Sequence, residues 1–279
     1  MDVFYRQGLS VVYRMDEQVY FRVNAWEPNS ECNSGYIVFA DHVAAIDATT
    51  NQSVRDMMQE SLQLFQKPLT QIFLTHPHWD HVMGMEAAIE NNLELICRHI
   101  TVEQLRQESV PLPQKMILFD KHLDLIEGEL HVHLFDEGCT THSPWDMLIG
   151  LPERGIVFTG DVCVVERMMF FGQSDVTSWI DFLPQLKQYA LILRGHGDAA
   201  APDYIDSQVA YLTGLKTACL HLLETVPDED LNVFLAKAKA DPQSVDEPLI
   251  NALVAVTGDQ AVGHIEQLIQ SGQFKNEAD

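Results

Sequence analysis

The sequence predicts an α/β protein in which helices surround a core of two β-sheets. Three features favour this class. Paired apolar runs rich in β-branched and aromatic residues occupy the first 50 residues, strand and helix patterns alternate from residue 51 to residue 108, and further strands follow up to residue 196. Such an order indicates two sheets with helices outside them. A chain of 279 residues is long enough to bury a substantial core.

The predicted strands are short apolar runs, most of them bounded by turn-forming residues. They span residues 10–15, 18–23, 35–40, 42–48, 71–76, 93–97, 129–135, 146–152, 155–161 and 190–196. The first four form two predicted hairpins, the second of which turns at Asp41 and His42.

The predicted helices follow the spacing of apolar residues with a period near 3.6. They span residues 51–67, 83–92, 100–108, 175–190, 202–226, 228–240, 247–258 and 259–272. Asn51 or Ser53 is the expected N-cap of the first helix. Because only helical patterns follow the last strand, we predict an α/β domain over residues 1–202 and a C-terminal helical extension, packed on it, over residues 203–279.

The composition excludes some classes of partner and indicates the cellular compartment. The balance of 17 basic against 41 acidic residues gives a formal charge of −24, which repels phosphate backbones and disfavours nucleic-acid partners. The sequence has no apolar run near the roughly 20 residues that cross a bilayer, and Asp2 stands where a signal peptide carries positive charge. We therefore expect a cytoplasmic protein without a membrane partner. The five cysteines are scattered and form no CxxC, which is typical of reduced thiols.

The segment THPHWDH, residues 75–81, is the strongest chemical signal. It places His76, His78, Asp80 and His81 directly after an apolar run. In a loop that leaves a strand, side chains at i and i+2 can point to one side, and those at i+4 and i+5 can reach a second point nearby. Imidazole nitrogens suit zinc, and carboxylate oxygens suit zinc, iron or manganese. One such loop can therefore serve two metal ions.

Two ions need further ligands, and three candidates each follow the end of an apolar strand. They are His142, Asp161 and His196. An aspartate that lies between two ions can bridge them. Together with the loop, these residues predict a site for two divalent ions, with zinc favoured and iron or manganese as alternatives.

Four motifs resemble, in order along the chain, those of the metallo-β-lactamase-fold metallohydrolases. They are THPHWDH (75–81), HSPWD with His142, TGD (159–161) and GHG (195–197). The resemblance covers roughly residues 20–200 and implies an αββα sandwich of two mixed β-sheets flanked by helices, with metals at one edge. The implied ligand set is similar to that of glyoxalase II and lactonases: His76, His78 and His142 for one metal, Asp80, His81 and His196 for the second, and Asp161 as the bridge.

Several neighbouring residues have two interpretations. Asp47 resembles the family's aspartate beneath the metal loop, which orients a ligand histidine; the alternative is a cap for the helix at 50–67. Asp146 is a candidate to support His142 or Asp161. Trp145 stands where many members carry glycine, and either lines a substrate pocket or fills core.

The remaining histidines are predicted to lie outside the site. His131 and His133 alternate with apolar residues in a strand, which places them on its polar face. The others have no partners in sequence and are expected at the surface: His42, His99, His122, His221 and His264.

The resemblance implies a dinuclear metal-dependent hydrolase. A metal-bridging hydroxide would attack an ester, thioester, lactone or amide carbonyl of a small molecule, and Asp80 would orient the nucleophile or move its proton. Two alternatives stay open: a mononuclear iron enzyme similar to persulfide dioxygenases, and a non-catalytic metal-bound effector. The C-terminal helices are expected to pack on the core, with homodimer formation or a lid over the site as alternatives.

Overall fold

The structure is a computed structural model that describes residues 2–8, 10–24, 32–136, 138–165, 169–245 and 247–274. The chain divides into two compact units. The first comprises Met1–Gly138, Trp145–Asp161 and Tyr189–Ala201, and the second comprises Cys139–Pro144, Val162–Gln188 and Pro202–Asp279. The division predicted between residues 202 and 203 stays a prediction.

The larger sheet belongs to the first unit, and its eight strands lie side by side in sequence order. They are β1 (Asp2–Gln7), β2 (Ser10–Arg14), β3 (Val19–Val23), β4 (Ser34–Val38), β5 (Val43–Ile46), β6 (Leu69–Phe73), β7 (Glu94–Arg98) and β8 (Met116–Phe119). Neighbours from β1 to β5 are antiparallel, and neighbours from β5 to β8 are parallel. Helices link the parallel strands up to β8, as such pairs require: α1 (Asn51–Glu60), α2 (Trp79–Val82), α3 (Met85–Glu90) and α4 (His99–Gln107).

The smaller sheet has the strand order β13-β12-β11-β10-β9. Its strands are β9 (His122–Glu127), β10 (Leu130–Phe135), β11 (Leu148–Leu151), β12 (Ile156–Val164) and β13 (Leu191–His196). β9, β10, β11 and β12 pair antiparallel with their neighbours. β9 is therefore an edge strand.

Two apolar layers hold the first unit together. One lies between the sheets, where Phe21, Ile37 and Phe73 of the larger sheet share a cluster with Ile149 and Phe158 of the smaller sheet. The other lies on the opposite face of the larger sheet and includes apolar residues of α1, α3 and α4. The central strands β4 and β5 are consequently buried along their whole length. The two sheets, the helices and the C-terminal helices confirm the predicted fold class.

The second unit is mainly helical. Its helices are α5 (Val176–Phe182), α6 (Tyr204–Thr225), α7 (Asp228–Ala240), α8 (Pro248–Thr257) and α9 (Gln260–Ser271). α6 contacts each of the other four. The buried indole of Trp179 donates a hydrogen bond to the Val162 carbonyl oxygen at 2.9 Å. Within the described ranges, no helix combines the length and apolarity that a membrane crossing requires.

The structure differs from the predicted elements where local chemistry interrupts a pattern. The helix predicted over 51–67 is α-helical only to Glu60 and ends in a π-helical turn, and its N-cap is Thr50, whose hydroxyl accepts from the Ser53 amide at 3.1 Å. The helix predicted over 175–190 becomes a 3-10 helix at Leu183, because the proline at the next position cannot continue the α-helical hydrogen bonds. Strands β1, β8 and β9 were not predicted.

Gly35 of β4 shows how closely the two sheets approach. A Cβ atom there would lie 2.3 Å from the ring of Phe158 and 2.9 Å from the Tyr20 carbonyl oxygen. We expect Gly35→Ala to lower the free energy of unfolding by about 1–3 kcal/mol through overpacking. Chemical denaturation measures this change. Gly263→Ala is the matched control, because apart from its chain neighbours and its own helix backbone no described atom lies within 4 Å of the added Cβ, and alanine favours the helix. Equal effects of the two substitutions would contradict the described packing.

His264 was predicted at the surface, and this is wrong: it is buried on α9, and its Nδ1 lies 2.8 Å from the hydroxyl of Tyr211. Burial disfavours the charged ring and lowers the pKa of His264 to about 4. Below the ordinary pKa near 6.5 the unfolded chain therefore takes up a proton that the folded chain does not, so stability falls as the pH drops towards 4.

We expect His264→Gln to remove this pH-dependent contribution, which amounts to roughly 3 kcal/mol between pH 7 and pH 4. Urea unfolding at several pH values, compared between wild type and variant, measures it. The exposed His221 on α6 provides the control His221→Gln. A wild-type-minus-variant difference that stays constant with pH would contradict the described burial of His264.

Candidate metal centre

The first unit brings six of the seven predicted ligands to the carboxyl-terminal side of its strands. They are His76 and His78 in the loop after β6, Asp80 and His81 in α2, Asp161 in β12 and His196 at the end of β13. The loop is short because α2 begins directly after His78, whose backbone is extended (φ −62°, ψ 149°). The first turn of α2 then carries Asp80 and His81 back towards His76, and the rings of His76 and His81 have centroids 4.1 Å apart.

His81 lies at the centre of the cluster. Its Nε2 is 3.3 Å from Oδ1 of Asp161 and 3.6 Å from Oδ2 of Asp80. Nε2 of His196 is 2.9 Å from Oδ2 of Asp80 and 3.6 Å from Oδ2 of Asp161. Nε2 of His76 lies 4.0 Å from Oδ2 of Asp161.

These donors form two overlapping groups that could each hold an ion. In one, His76, His81 and Asp161 present ligand atoms within 4.8 Å of one another, and in the other Asp80, His81 and His196 do so. All of these side chains are buried. Within the described parts of the chain, Nε2 of His81 makes no hydrogen bond although it faces two carboxylates. A buried imidazole nitrogen in this position, with a set of imidazole and carboxylate donors, fits a divalent metal ion.

Asp47 is hydrogen-bonded to His81. Its Oδ2 accepts a hydrogen bond from Nδ1 of His81 at 2.8 Å, and its Oδ1 accepts one from the backbone amide of Thr75 at 2.7 Å. The hydroxyl of Thr75 lies 2.9 Å from Oδ2. The alternative interpretation of Asp47 as a helix cap is not realised, because Thr50 caps α1. The contact with His81 is the one that the predicted orienting role needs.

The charges in the cluster shift each other's pKa. Burial alone would raise the pKa of Asp161, but His196 and His81 outweigh it and hold that pKa well below its ordinary value. Burial likewise acts to raise the pKa of Asp80, and His81 and His196 lower it overall. Burial acts to lower the pKa of His196, yet Asp161 and Asp80 raise it. The cluster therefore favours positive charge among its carboxylates.

A glycine at position 195 leaves the space that the side chain of Asp161 occupies. A Cβ atom at residue 195 would lie 2.1 Å from Oδ1 of Asp161 and 2.8 Å from the backbone of Gly160. The GHG and TGD motifs therefore combine ligands with glycines that let β12 and β13 approach closely.

Two supporting residues escaped the sequence analysis. The side-chain amide of Asn33 donates to the carbonyl oxygens of Arg194 at 3.0 Å and Gly197 at 2.6 Å, which fixes the chain on both sides of His196. The buried thiol of Cys32 donates to the Asp80 carbonyl oxygen at 3.3 Å. Neither residue has a motif or a spacing that could have identified it.

His78 and Trp145 lie together in the first unit. The rings of these residues meet edge to face with centroids 6.5 Å apart, and Trp145 is half-buried. The tryptophan carbonyl oxygen accepts a hydrogen bond from Thr101 at 3.1 Å. A partly exposed indole beside a predicted ligand favours the pocket interpretation over core filling.

His142 and Asp146 are the remaining predicted site residues, and the ligand and supporting roles of the whole set stay predictions. His142 belongs to the second unit, where its buried ring lies 5.7 Å from the ring of Trp179 and 6.5 Å from that of Phe170. Asp146 is buried in the first unit, and its backbone carbonyl oxygen accepts a hydrogen bond from Arg98 at 3.0 Å. Its predicted support for His142 or Asp161 is not tested by these contacts.

Several solved structures of metallo-beta-lactamases are similar to this chain. The enzyme from Erythrobacter litoralis is 16% identical over 76% of this chain and 99% of its own, with a TM-score of 0.63. FIM-1 from Pseudomonas aeruginosa, in its mono-zinc form, is 16% identical over 73% and 95% (TM-score 0.63), and the protein from Pontibacter korlensis is 16% identical over 73% and 99% (TM-score 0.64). At these identities the likeness shows the fold alone.

A family model gives the stronger result. No curated protein matches the chain significantly. The model described as the metallo-beta-lactamase superfamily matches residues 28–196, which is more than half of the sequence and includes all seven predicted ligands. The chain therefore belongs to the metallo-beta-lactamase superfamily.

Proposed function

We propose that the chain is a metal-dependent hydrolase that cleaves an ester, thioester, lactone or amide bond of a small molecule. The observation that carries this proposal is the group of buried imidazole and carboxylate donors around Nε2 of His81. Membership of the metallo-beta-lactamase superfamily supports it, because most members are metal-dependent hydrolases.

The proposed centre holds two divalent ions, with zinc favoured over iron or manganese. The proposed ligands are His76, His78 and His142 for one ion, Asp80, His81 and His196 for the other, and Asp161 for both. His142 joins this set on the resemblance of its motif. When bound, the ions would supply Lewis acidity and lower the pKa of a water molecule.

Asp80 is the proposed catalytic carboxylate. Its side chain is 11% exposed, against 2% for that of Asp47, so it keeps some access to solvent. Its lowered pKa keeps it ionised near neutral pH, and the contact of Oδ2 with His196 restricts its orientation. A carboxylate held in this way can orient the attacking water, accept its proton and pass that proton to the leaving group.

Two tryptophans favour a substrate with an apolar part. Trp79 is 58% exposed although it lies between two predicted ligands in sequence, and Trp145 lies edge-on to His78. Exposed aromatic side chains next to polar groups are typical of small-molecule sites. The formal charge of −24 disfavours polyanionic substrates, including nucleic acids.

The first test combines metal analysis with a substrate screen. We expect about two zinc or other divalent ions per chain in this centre after metal-supplemented growth, and hydrolysis of lactones, thioesters or aryl esters that chelation abolishes and added metal restores. Asp80→Asn should lower kcat about 10²- to 10⁴-fold without changing the circular dichroism spectrum. The exposed Asp120 provides the control Asp120→Asn. Undiminished activity in metal-depleted protein would refute the proposal, and one iron ion per chain with oxygen consumption would favour a dioxygenase.

The second test concerns Asp47 as a positioning residue. We expect Asp47→Asn to weaken metal binding about 10- to 100-fold, because the amide no longer offers a charged acceptor to Nδ1 of His81. Competition with a chromophoric chelator measures the Kd, and kcat per bound metal separates occupancy from turnover. Asp120→Asn again serves as control. Lower stability with an unchanged metal Kd would limit Asp47 to a structural role.

A further inference from the structure

A second histidine cluster lies on the β9–β10 hairpin of the smaller sheet. His131 and His133 are two residues apart in β10 and point to the same side, and Asp124 of β9 is paired with His133 in the antiparallel register. Oδ1 of Asp124 lies 2.8 Å from Nε2 of His131 and 2.7 Å from Nδ1 of His133. The ligand atoms of these three side chains lie within 4.8 Å of one another.

We propose that this cluster is a separate surface site for a divalent transition-metal ion such as Zn²⁺ or Cu²⁺. The ligands are Nε2 of His131, Nδ1 of His133 and the carboxylate of Asp124. Two imidazole nitrogens and one carboxylate oxygen suit these ions, whereas Ca²⁺ and Mg²⁺ prefer oxygen alone. The proposal does not rest on the proposed hydrolase activity, because it uses none of the residues of that centre.

The contacts within the cluster already hold the three proposed ligands together. One oxygen of Asp124 faces two ring nitrogens at once, so each ring must supply a proton for both contacts to be hydrogen bonds. A metal ion bound among the three groups would take the place of these two hydrogen bonds. Each ring would bind it through an unprotonated nitrogen, as binding to imidazole requires.

Both rings are already oriented. Oε1 of Glu153 lies 3.1 Å from Nδ1 of His131, which is the nitrogen opposite the proposed ligand atom. A carboxylate on the far nitrogen is the usual partner of a metal-binding histidine. The ring of His133 stacks on that of Phe135, with centroids 4.9 Å apart and an angle of 19° between the planes. Binding would therefore cost little further ordering of either ring.

The cluster is open to incoming ions. The side chains of His131 and His133 are 28% and 31% exposed. A surface groove of about 680 Å³ is lined by His131 together with Ile126, Glu129, Glu153 and Arg154. Arg154 pairs with Asp16, so its charge is balanced, and the glutamates leave the groove acidic. The groove provides room for the water molecules that would complete a three-ligand site.

Such an ion would have a structural consequence. β9 is an edge strand of the smaller sheet, and Glu153 belongs to the turn after β11. An ion held by Asp124, His131 and His133, with Glu153 behind His131, would connect the edge strand to the next strand and to that turn. We therefore expect the ion to raise the melting temperature.

The test uses the full chain as purified, with whatever metal its other centre retains. Zn²⁺ alone is added and followed by calorimetry, by elemental analysis after desalting and by thermal unfolding. The key variant is His131→Gln combined with His133→Gln. The matched control is His99→Gln combined with His221→Gln, which removes two exposed histidines from two different helices.

We expect wild type and control to bind one more Zn²⁺ ion per chain than the His131/His133 variant, and to gain melting temperature on its addition. Asp124→Asn should weaken this binding about tenfold or more while leaving both histidines in place. NMR spectra of the imidazole nitrogens in the wild-type protein provide a check that needs no substitution, since Zn²⁺ should shift the signals of His131 and His133. Equal Zn²⁺ binding by wild type and the double variant, or unshifted signals of these two rings at saturation, would overturn the proposal.

Discussion

The buried carboxylate of Asp47 is the interaction on which the candidate centre depends. From the end of β5 it binds both the backbone of Thr75, after β6, and Nδ1 of His81 in α2. Because Nδ1 of His81 donates to this carboxylate, the lone pair of the neutral ring lies on Nε2, which faces Asp161 and Asp80. Asp47 reaches this position from a left-handed backbone (φ 59°), which is uncommon for a residue with a side chain.

Burial gives the cluster its preference for cations. Asp47, Asp80 and Asp161 are close together and buried, an arrangement that is unfavourable unless positive charge lies among them. Without metal, the imidazoles provide that charge by holding protons, as the raised pKa of His196 indicates. A divalent ion provides it without protonation. Repulsion among the three buried carboxylates is relieved when an ion binds, and this relief would add to the metal affinity. Metal binding would therefore also stabilise the folded first unit.

The sequence predicted the parts of this arrangement that local patterns determine. The apolar runs before His76, Asp161 and His196 identified the strands that carry them, and the spacing within 75–81 identified the loop. The edge strands β1, β8 and β9 were missed because they depend on pairing with a neighbour and lack a clear apolar pattern of their own. β9, for example, alternates exposed and half-buried residues and contains three charged or polar positions. Contacts between residues that are far apart in sequence could not be predicted either. Asn33 and Arg194 are 161 positions apart, and no local pattern connects them.

The two His-x-His sequences show how environment, rather than ligand type, separates one metal site from another. His76 is fully buried in a loop after a central strand, where few water molecules compete and the local dielectric is low. His131 and His133 lie in the strand next to the edge strand β9, and their side chains are 28% and 31% exposed, so water competes for the ring nitrogens. With similar donors, the buried set would bind more tightly and exchange more slowly than the exposed set. The same short motif can therefore hold a resident cofactor in one strand context and an exchangeable ion in the other.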